Sequence, residues 1–270
     1  MIEIKQFTPF TRSYKRLTGI GGRIGNTYLY KYMSLSTACI VLQNNTLRFN
    51  APTTWTDPYE KRFYEADYRM VRNSQLVNRK TYACCVAKKR ECEAAWRMYS
   101  KNYLTDPCVQ FVINVGQLRT FLDQYAESNN WDIYEGEVGY TLNDKEFQSL
   151  HLKSSPFHNL FFEDFNIIKY LNLLLIKRQA FEYEGEIRYF LQKGQMDMRK
   201  KFVDIPIPWN YCLHKVIVPK KLSPALSDKI EDALKKNKML CKAKWPNYYE
   251  RDVPIEESKI YKPFEKITIQ

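Results

Sequence analysis

The stretch FEYEGEIRYF, residues 181–190, constrains the fold more than any other part of the chain. Polar and apolar residues alternate there at period two, the pattern of a strand with one face on a core. As a strand it puts Glu182, Glu184, Glu186 and Arg188 on one side and Phe181, Tyr183, Gly185, Ile187 and Tyr189 on the other. As a helix it would carry Gly185 in its middle, at a cost of about 1 kcal/mol relative to alanine. A strand predicts adjacent carboxylates about 7 Å apart. The row is then either a solvated outer face with Arg188 as counter-charge, or a carboxylate pair for glycosidic chemistry. In the second case one carboxylate steadies an oxocarbenium-like centre while another orients or deprotonates an acceptor.

The surroundings read as an α+β chain. Strands are expected at 26–35, 46–52, 81–87, 108–115, 131–142, 201–207 and 214–220, where β-branched and aromatic residues cluster between turn residues. Helices are expected at 36–45 after a Ser36 or Thr37 cap, at 61–80, 91–103 and 117–128, and at 223–239 after a Ser-Pro start. The greasy segment 161–178 reads as the longest amphipathic helix. TTWTDPYE (53–60) reads as a turn whose Asp57, Pro58 and Glu60 are structural punctuation or a site loop. No repeat and no linker forces a split. A single domain over 1–270 is expected, with a basic lead-in at 1–26, a core at 27–220 and a C-terminal helix and tail at 221–270.

Charge narrows the partners. The net charge of +12 suggests contact with a polyanion. It is unevenly spread: residues 61–101 hold eleven Lys/Arg against four Asp/Glu, and 131–164 hold seven Asp/Glu against two Lys. KKRECEAAWRMYSK (88–101) interleaves cations with aromatics, the pattern that serves backbone charge and base stacking together. Lys88, Lys89, Arg90, Arg97 and Lys101 are its candidate nucleic-acid contacts, and 232–245 is a second basic segment. A helix with its aromatic stripe in the core is the plainer reading of Trp96 and Tyr99.

Other chemistries find little footing. His151, His158 and His214 match no zinc spacing, so no metal is expected. GIGGRIGN (19–26) has Ile24 where a dinucleotide fingerprint needs its third glycine, and no phosphate-loop lysine motif occurs. Seven cysteines, an odd count with Cys84 beside Cys85, argue against a disulfide framework. The N-terminus lacks a secretory pattern, and the greasiest segment is interrupted by Lys169 and Asn172. A soluble cytoplasmic protein with no membrane partner is expected.

The order LYKY (29–32), LRFNAP with WTDPYE (47–60), Trp-x-x-Tyr (96–99) and Glu-Gly-Glu-Ile-Arg (184–188) resembles a bacterial domain family of unassigned function over most of residues 28–190. That family shows a Leu-Tyr-Arg/Lys-Tyr strand, an Asn-Asp-Pro-x-Glu turn, a Trp-x-x-Tyr helix and a Glu-x-Glu-x-Arg strand. Thr56 stands here where that turn has Asn, and Phe181 where a Trp is common. The layout also resembles the ADP-ribosyltransferase superfold. The resemblance implies split antiparallel β-sheets flanked by helices, with NAD as substrate. It implies Glu186 as the catalytic carboxylate and Glu184 as its upstream partner. It places Lys31, with Tyr28, Tyr30 and Tyr32, at the NAD-gripping strand, and offers Tyr32, Phe49 and Tyr99 as rings for nicotinamide. An enzyme of this kind with a basic surface would modify RNA, or DNA, ahead of protein. Such enzymes act as toxins or phage-defence effectors held off by an antitoxin or chaperone. A non-catalytic nucleic-acid-binding protein, an NAD glycohydrolase and a nuclease are the competing readings.

Overall fold

The computed structural model describes residues 27–66, 80–140, 144–155, 158, 162–163, 165–193, 200–247 and 251–260. The basic lead-in, the glycine stretch at 19–26 and most of the basic segment 61–80 lie outside the described residues. In chain order the elements are β1 (Tyr28–Ser34), α1 (Leu35–Asn44), β2 (Thr46–Asn50), α2 (Pro58–Tyr64), β3 (Lys80–Ala87), α3 (Glu93–Met98), β4 (Cys108–Asn114), α4 (Val115–Asn129) and β5 (Asp132–Glu137). They continue with α5 (Asp144–Ser149), α6 (Ile167–Leu173), β6 (Glu186–Lys193), β7 (Phe202–Pro206), α7 (Trp209–Cys212), β8 (Leu213–Val218), α8 (Pro224–Lys244) and β9 (Ile255–Glu257). The chain forms two compact units. One comprises Met1–Thr27, Leu47–Lys88 and Val115–Ile207, and the other Tyr28–Thr46, Lys89–Asn114 and Pro208–Gln270.

In the first unit β6 lies between β3 and β5, antiparallel to both, while β2 pairs with β3 and with β7. The ladder runs from Lys80 opposite Lys193 to Ala87 opposite Glu186. Seven of the eight β6 residues are buried, so both faces of this strand are covered. Phe190 joins a core with Phe63 of α2, Tyr170, Leu171 and Leu173 of α6, and Leu174, Leu175 and Ile176. On the next face along, the Tyr189 hydroxyl donates to Glu135 at 2.9 Å, and Arg119 of α4 forks onto the same carboxylate at 2.8 and 2.9 Å.

Two expectations fail in this unit. The strand does not begin at Phe181: Gln179–Glu184 form a 3-10 turn that Gly185 ends at φ 50°, ψ 53°, and β6 starts at Glu186. A left-handed residue is cheap only for glycine, so the residue that argued against a helix is the one that separates turn from strand. The greasy segment is not the longest helix either. Asn166 caps α6 by accepting from the N–H groups of Ile168 and Lys169, and the helix ends after Leu173. Leu174, Leu175 and Ile176 then run buried as irregular chain. Their burial rests on tertiary packing, which the helical period could not express.

In the second unit β1 pairs antiparallel with β4, from Tyr28 opposite Asn114 to Ser34 opposite Cys108. Strand β4 pairs antiparallel with β8, with a register shift between Val112 and Ile113, and β9 adds in parallel to β8. Every β4 residue but the last is buried, as its continuous apolar run predicts. The α1 cap is Ser34, whose Oγ accepts from the Thr37 N–H, while Ser36 donates to Asp106 at 2.6 Å. Helix α8 begins at Pro224 after Ser223, as its Ser-Pro start predicts, and runs 21 residues. It packs on α1 through buried Asn237, which donates to the Leu42 carbonyl at 2.7 Å and to Asn45 at 2.5 Å.

The architecture is thus mixed: multi-stranded, mainly antiparallel sheet flanked by helices. All seven cysteines are free thiols. Among the described residues no helix is long and apolar enough to cross a membrane.

Candidate functional site: a buried carboxylate cluster

Gly185 sets the geometry of the site in the first unit. The turn at Gly185 lets Glu184, at the end of the 3-10 turn, and Glu186, at the start of β6, converge on one ammonium group. Lys177 Nζ lies 2.5 Å from Glu184, 3.1 Å from Glu60 and 3.5 Å from Glu186. Lys177 is held by its own backbone, whose N–H donates to the Gly139 carbonyl at 3.0 Å, while the Gly139 N–H donates to Leu175 at 2.8 Å. The extension of β5 also clamps the start of β6. The Val138 N–H donates to the Glu186 carbonyl at 2.9 Å, and the Glu186 N–H donates to the Tyr140 hydroxyl at 3.0 Å.

Arg188, 1% exposed, closes the cluster from below. It grips Glu186 with two hydrogen bonds of 3.0 and 2.9 Å, reaches Glu60 at 2.6 Å and donates to the Leu174 carbonyl at 2.6 Å. Its guanidinium lies 4.3 Å from the centre of the Trp55 ring. Glu60 arrives on α2, which Asp57 caps by accepting from the Tyr59 N–H at 2.9 Å and which has Pro58 in its first turn. Asp57 also meets Arg178 at 3.2 Å, and Arg178 lies over Tyr59. The Asp-Pro segment is therefore both a helix start and part of the cluster.

Three carboxylates face two cations, which leaves one negative charge in excess. Burial works against the charged form of Glu186, but Arg188 and Lys177 outweigh it and hold its carboxyl down at about 2. Glu184 moves the other way. Burial raises it, Lys177 only partly opposes that, and the neighbouring Glu186 and Glu60 charges add to it. Burial would lower Lys177, but Glu186 and Glu60 overcome it and keep the ammonium charged. Desolvation, then the Glu186 charge, push the Cys85 thiol well up, so it stays protonated beside the cluster. The result is one carboxylate held in its ionised form near neutral pH next to one whose proton affinity is raised, the division of labour that acid–base chemistry uses. Glu184 is the more open of the two, its side chain 20% exposed against 8% for Glu186.

Of the two sequence readings of the glutamates, the solvated row does not describe this. They are no wet row: Glu186 and Arg188 are buried, and Glu182 lies on the 3-10 turn. Lys177, Arg178, Trp55 and Tyr140 carry no role in the sequence analysis, and Glu60 stands there as punctuation or part of a site loop. The signal was weak, a Lys-Arg pair ending a greasy run, and no spacing rule links residues 60, 140, 177 and 186.

The other candidates have surroundings of their own. Tyr28, Tyr30 and Tyr32 alternate on one face of β1, and Lys31 points to the opposite face. One ligand cannot be held from both sides of the strand, so the structure does not bring these four together. The Tyr32 hydroxyl donates to the Arg90 carbonyl at 3.1 Å and accepts from the Cys92 N–H at 3.1 Å. Its ring stacks with Tyr99 at 6.1 Å and meets Trp96 edge-on at 5.9 Å. Tyr28 packs on His214 at 4.4 Å. Phe49 is fully enclosed and offers no ring face to a ligand. Trp96 is buried, as the core reading expects, and Tyr99 is 46% exposed.

The basic candidates are exposed, and several are already engaged: Lys88 with Glu137 at 2.9 Å, Arg97 with Glu93 at 2.7 Å, and Lys101 with Asp106 at 3.7 Å. Lys89 and Arg90 follow Lys88 as exposed residues, and the Arg90 carbonyl also accepts from the Gln110 amide. Among the described residues no group of three or more His, Cys, Asp or Glu is placed to hold a metal ion.

No family model and no curated protein matches the chain. Two solved structures are similar to it. The DarT of Thermus sp. 2.9 in complex with ADP-ribosylated single-stranded DNA shows 10% identity over 86% of this chain and 94% of that one, with a TM-score of 0.35. The same DarT in complex with NAD+ shows 10% identity over 86% of this chain and 96% of that one, with a TM-score of 0.32. Likeness at that level carries no argument about the chemistry of this chain.

Proposed function

We propose that this chain is an NAD-dependent ADP-ribosyltransferase whose acceptor is a nucleic acid, RNA before DNA. The observation that carries the reading is the Glu184–Gly185–Glu186 pair, one carboxylate fixed in its charged form and its more open neighbour with raised proton affinity. The substrate is one whose ribose gains positive charge as its bond to nicotinamide breaks, with the bonding electrons leaving on nicotinamide. The excess negative charge of the Glu60, Glu184 and Glu186 cluster suits that developing cation. Glu186 keeps the field constant because Arg188 and Lys177 hold it ionised. Glu184 takes the acceptor's proton as the acceptor bonds to the ribose carbon. Lys177, bound to both, fixes their separation. The basic, aromatic-interleaved segment 88–101 supports a polyanionic acceptor. A role as toxin or defence effector, with an inhibitory partner, belongs to the same reading through the family resemblance alone.

One observation favours a second reading. Every carboxylate in the cluster touches Lys177 or Arg188, and Arg188 is 1% exposed, which also describes a structural staple in a nucleic-acid-binding protein without catalysis.

One assay separates them. NAD labelled on its adenine is incubated with the protein and RNA, single-stranded DNA, protein extract or nothing. Transfer of label to RNA or DNA, lost about 10²–10⁴-fold in Glu184→Gln at a temperature where that variant is still folded, supports the transferase. Nicotinamide release without transfer makes it an NAD glycohydrolase, and polymer cleavage without NAD a nuclease. Polymer binding with no turnover, unchanged in Glu184→Gln, leaves the staple.

A further inference from the structure

The second unit carries a pocket of its own, distinct from the carboxylate cluster. It has a volume of about 490 Å³ and lies among Trp96, Arg97, Tyr103, Lys220, Lys221 and Ser258, within the range of about 300–1,000 Å³ typical of small-ligand sites. Its lining holds three cations and no carboxylate. One wall is rigid: Trp96, 7% exposed, meets Tyr32 edge-on, and Tyr32 is tied at its hydroxyl to Arg90 and Cys92. The opposite character marks Tyr103, whose ring is 64% exposed at the mouth. Lys220 and Lys221 follow β8 on an exposed turn, with Lys221 in the left-handed region at φ 62° and its N–H on Glu257 at 3.4 Å. Arg97 is held on α3 by Glu93, which leaves its guanidinium in a fixed place.

The charged groups of the lining are all cations, with Glu93 pairing with Arg97 and Glu91 accepting from the Ser258 hydroxyl; such a lining selects an anion, and the exposed tyrosine beside a buried indole selects a flat aromatic group. A nucleotide combines the two. We propose that this pocket binds one nucleotide unit, its base against Tyr103 and its phosphate among Arg97, Lys220 and Lys221. The unit comes from a single strand or from a free nucleotide. The assignment deepens the acceptor half of the function proposed above and rests on it for the choice of a nucleic acid. It also explains what the interleaved segment 88–101 is for: its helix delivers Trp96 and Arg97 to the pocket.

The test is binding, not turnover. Fluorescence anisotropy of labelled oligouridylate and oligothymidylate with the full chain measures affinity, and AMP and UMP serve as competitors. Tyr103→Ala is expected to weaken binding about ten-fold through lost stacking. Lys220→Glu is expected to weaken it and to reduce the salt dependence by about one counterion. Both residues are exposed, so the melting temperature stays unchanged. The control Lys235→Ala, on the exposed face of α8, leaves affinity within two-fold. Competition by AMP or UMP assigns the pocket to free nucleotides, and its absence, with the losses intact, assigns it to the strand. Undiminished oligonucleotide binding in both pocket variants overturns the proposal, as does displacement of the label by an acidic aromatic peptide but by no nucleotide. Loss of label transfer from NAD with intact binding counts against the enzyme alone.

Discussion

Arg188 and Glu186 lie two residues apart on β6 and face each other as a closed fork, with Nε and Nη2 at 3.0 and 2.9 Å from the two carboxylate oxygens. Residues i and i+2 share a strand face, and here that face is buried, so each charge depends on the other. The same guanidinium reaches Glu60 on α2 and the carbonyl of Leu174. One side chain therefore ties the strand, α2 and the irregular chain after α6.

Arg188→Met is expected to destabilise the protein by about 3–5 kcal/mol, the usual cost of leaving buried charges without their partner. Glu186 and Glu60 would then share only Lys177. Urea unfolding monitored by tryptophan fluorescence measures the loss. A change below about 1 kcal/mol would show that the cluster is not structural.

The acid limb of stability follows from Glu186. Its folded carboxyl titrates at about 2 against an ordinary 4.5, so its contribution is complete above about pH 4.5 and is lost as pH falls toward 2. The shift corresponds to about 3 kcal/mol. Glu184 has the opposite sign: its raised folded value favours the fold at low pH, and that contribution disappears as pH rises through the folded value. Chemical denaturation across pH 2.5–7 (a range chosen around the ordinary carboxylate values of about 4) reads the sum, and Glu184→Gln isolates the second part. A stability profile that is flat between the ordinary glutamate value and the lowest pH would rule out the Glu186 assignment.

Gly185→Ala places a Cβ at φ 50°, ψ 53°, which costs about 1–2 kcal/mol. Because Gly185 sets how Glu184 meets Glu186, the variant is also expected to lose label transfer more than the stability loss explains. Gly185→Asn, which tolerates the left-handed region better, should recover part of both. Equal stability of the alanine and glycine forms in thermal melts would contradict this.

Asn237→Ala removes the donor that satisfies the Leu42 carbonyl and Asn45 at the end of α1. The Leu42 carbonyl keeps the Asn45 N–H and the Asn45 Oδ1 keeps the Cys241 thiol, so the loss of the two Asn237 hydrogen bonds is expected to cost about 1–3 kcal/mol. Hydrogen exchange should show the loss concentrated in α1 and α8, with the first unit unaffected; protection lost evenly through both units would refute the local account.

The sequence by itself determined most of the elements. The apolar and aromatic runs placed β1, β3, β4 and β8, and Ser223-Pro224 started α8, because period and turn chemistry are local properties of the chain. It also marked Glu184 and Glu186 as a pair. Only the tertiary structure decided what the pair is. Alternation at 181–190 is satisfied by a full strand or by a turn that hands over to a strand at Gly185, and local pattern does not choose between them. Glu60, arriving on α2 from far back in sequence, and Lys177, folded over from the chain just before the turn, chose by meeting the carboxylates in a buried place. Burial is a property of what packs around a residue, so Glu184 and Glu186, which read as wet on paper, become, once α2 and the chain at 174–177 meet them, a charged cluster whose proton affinities are set by its neighbours.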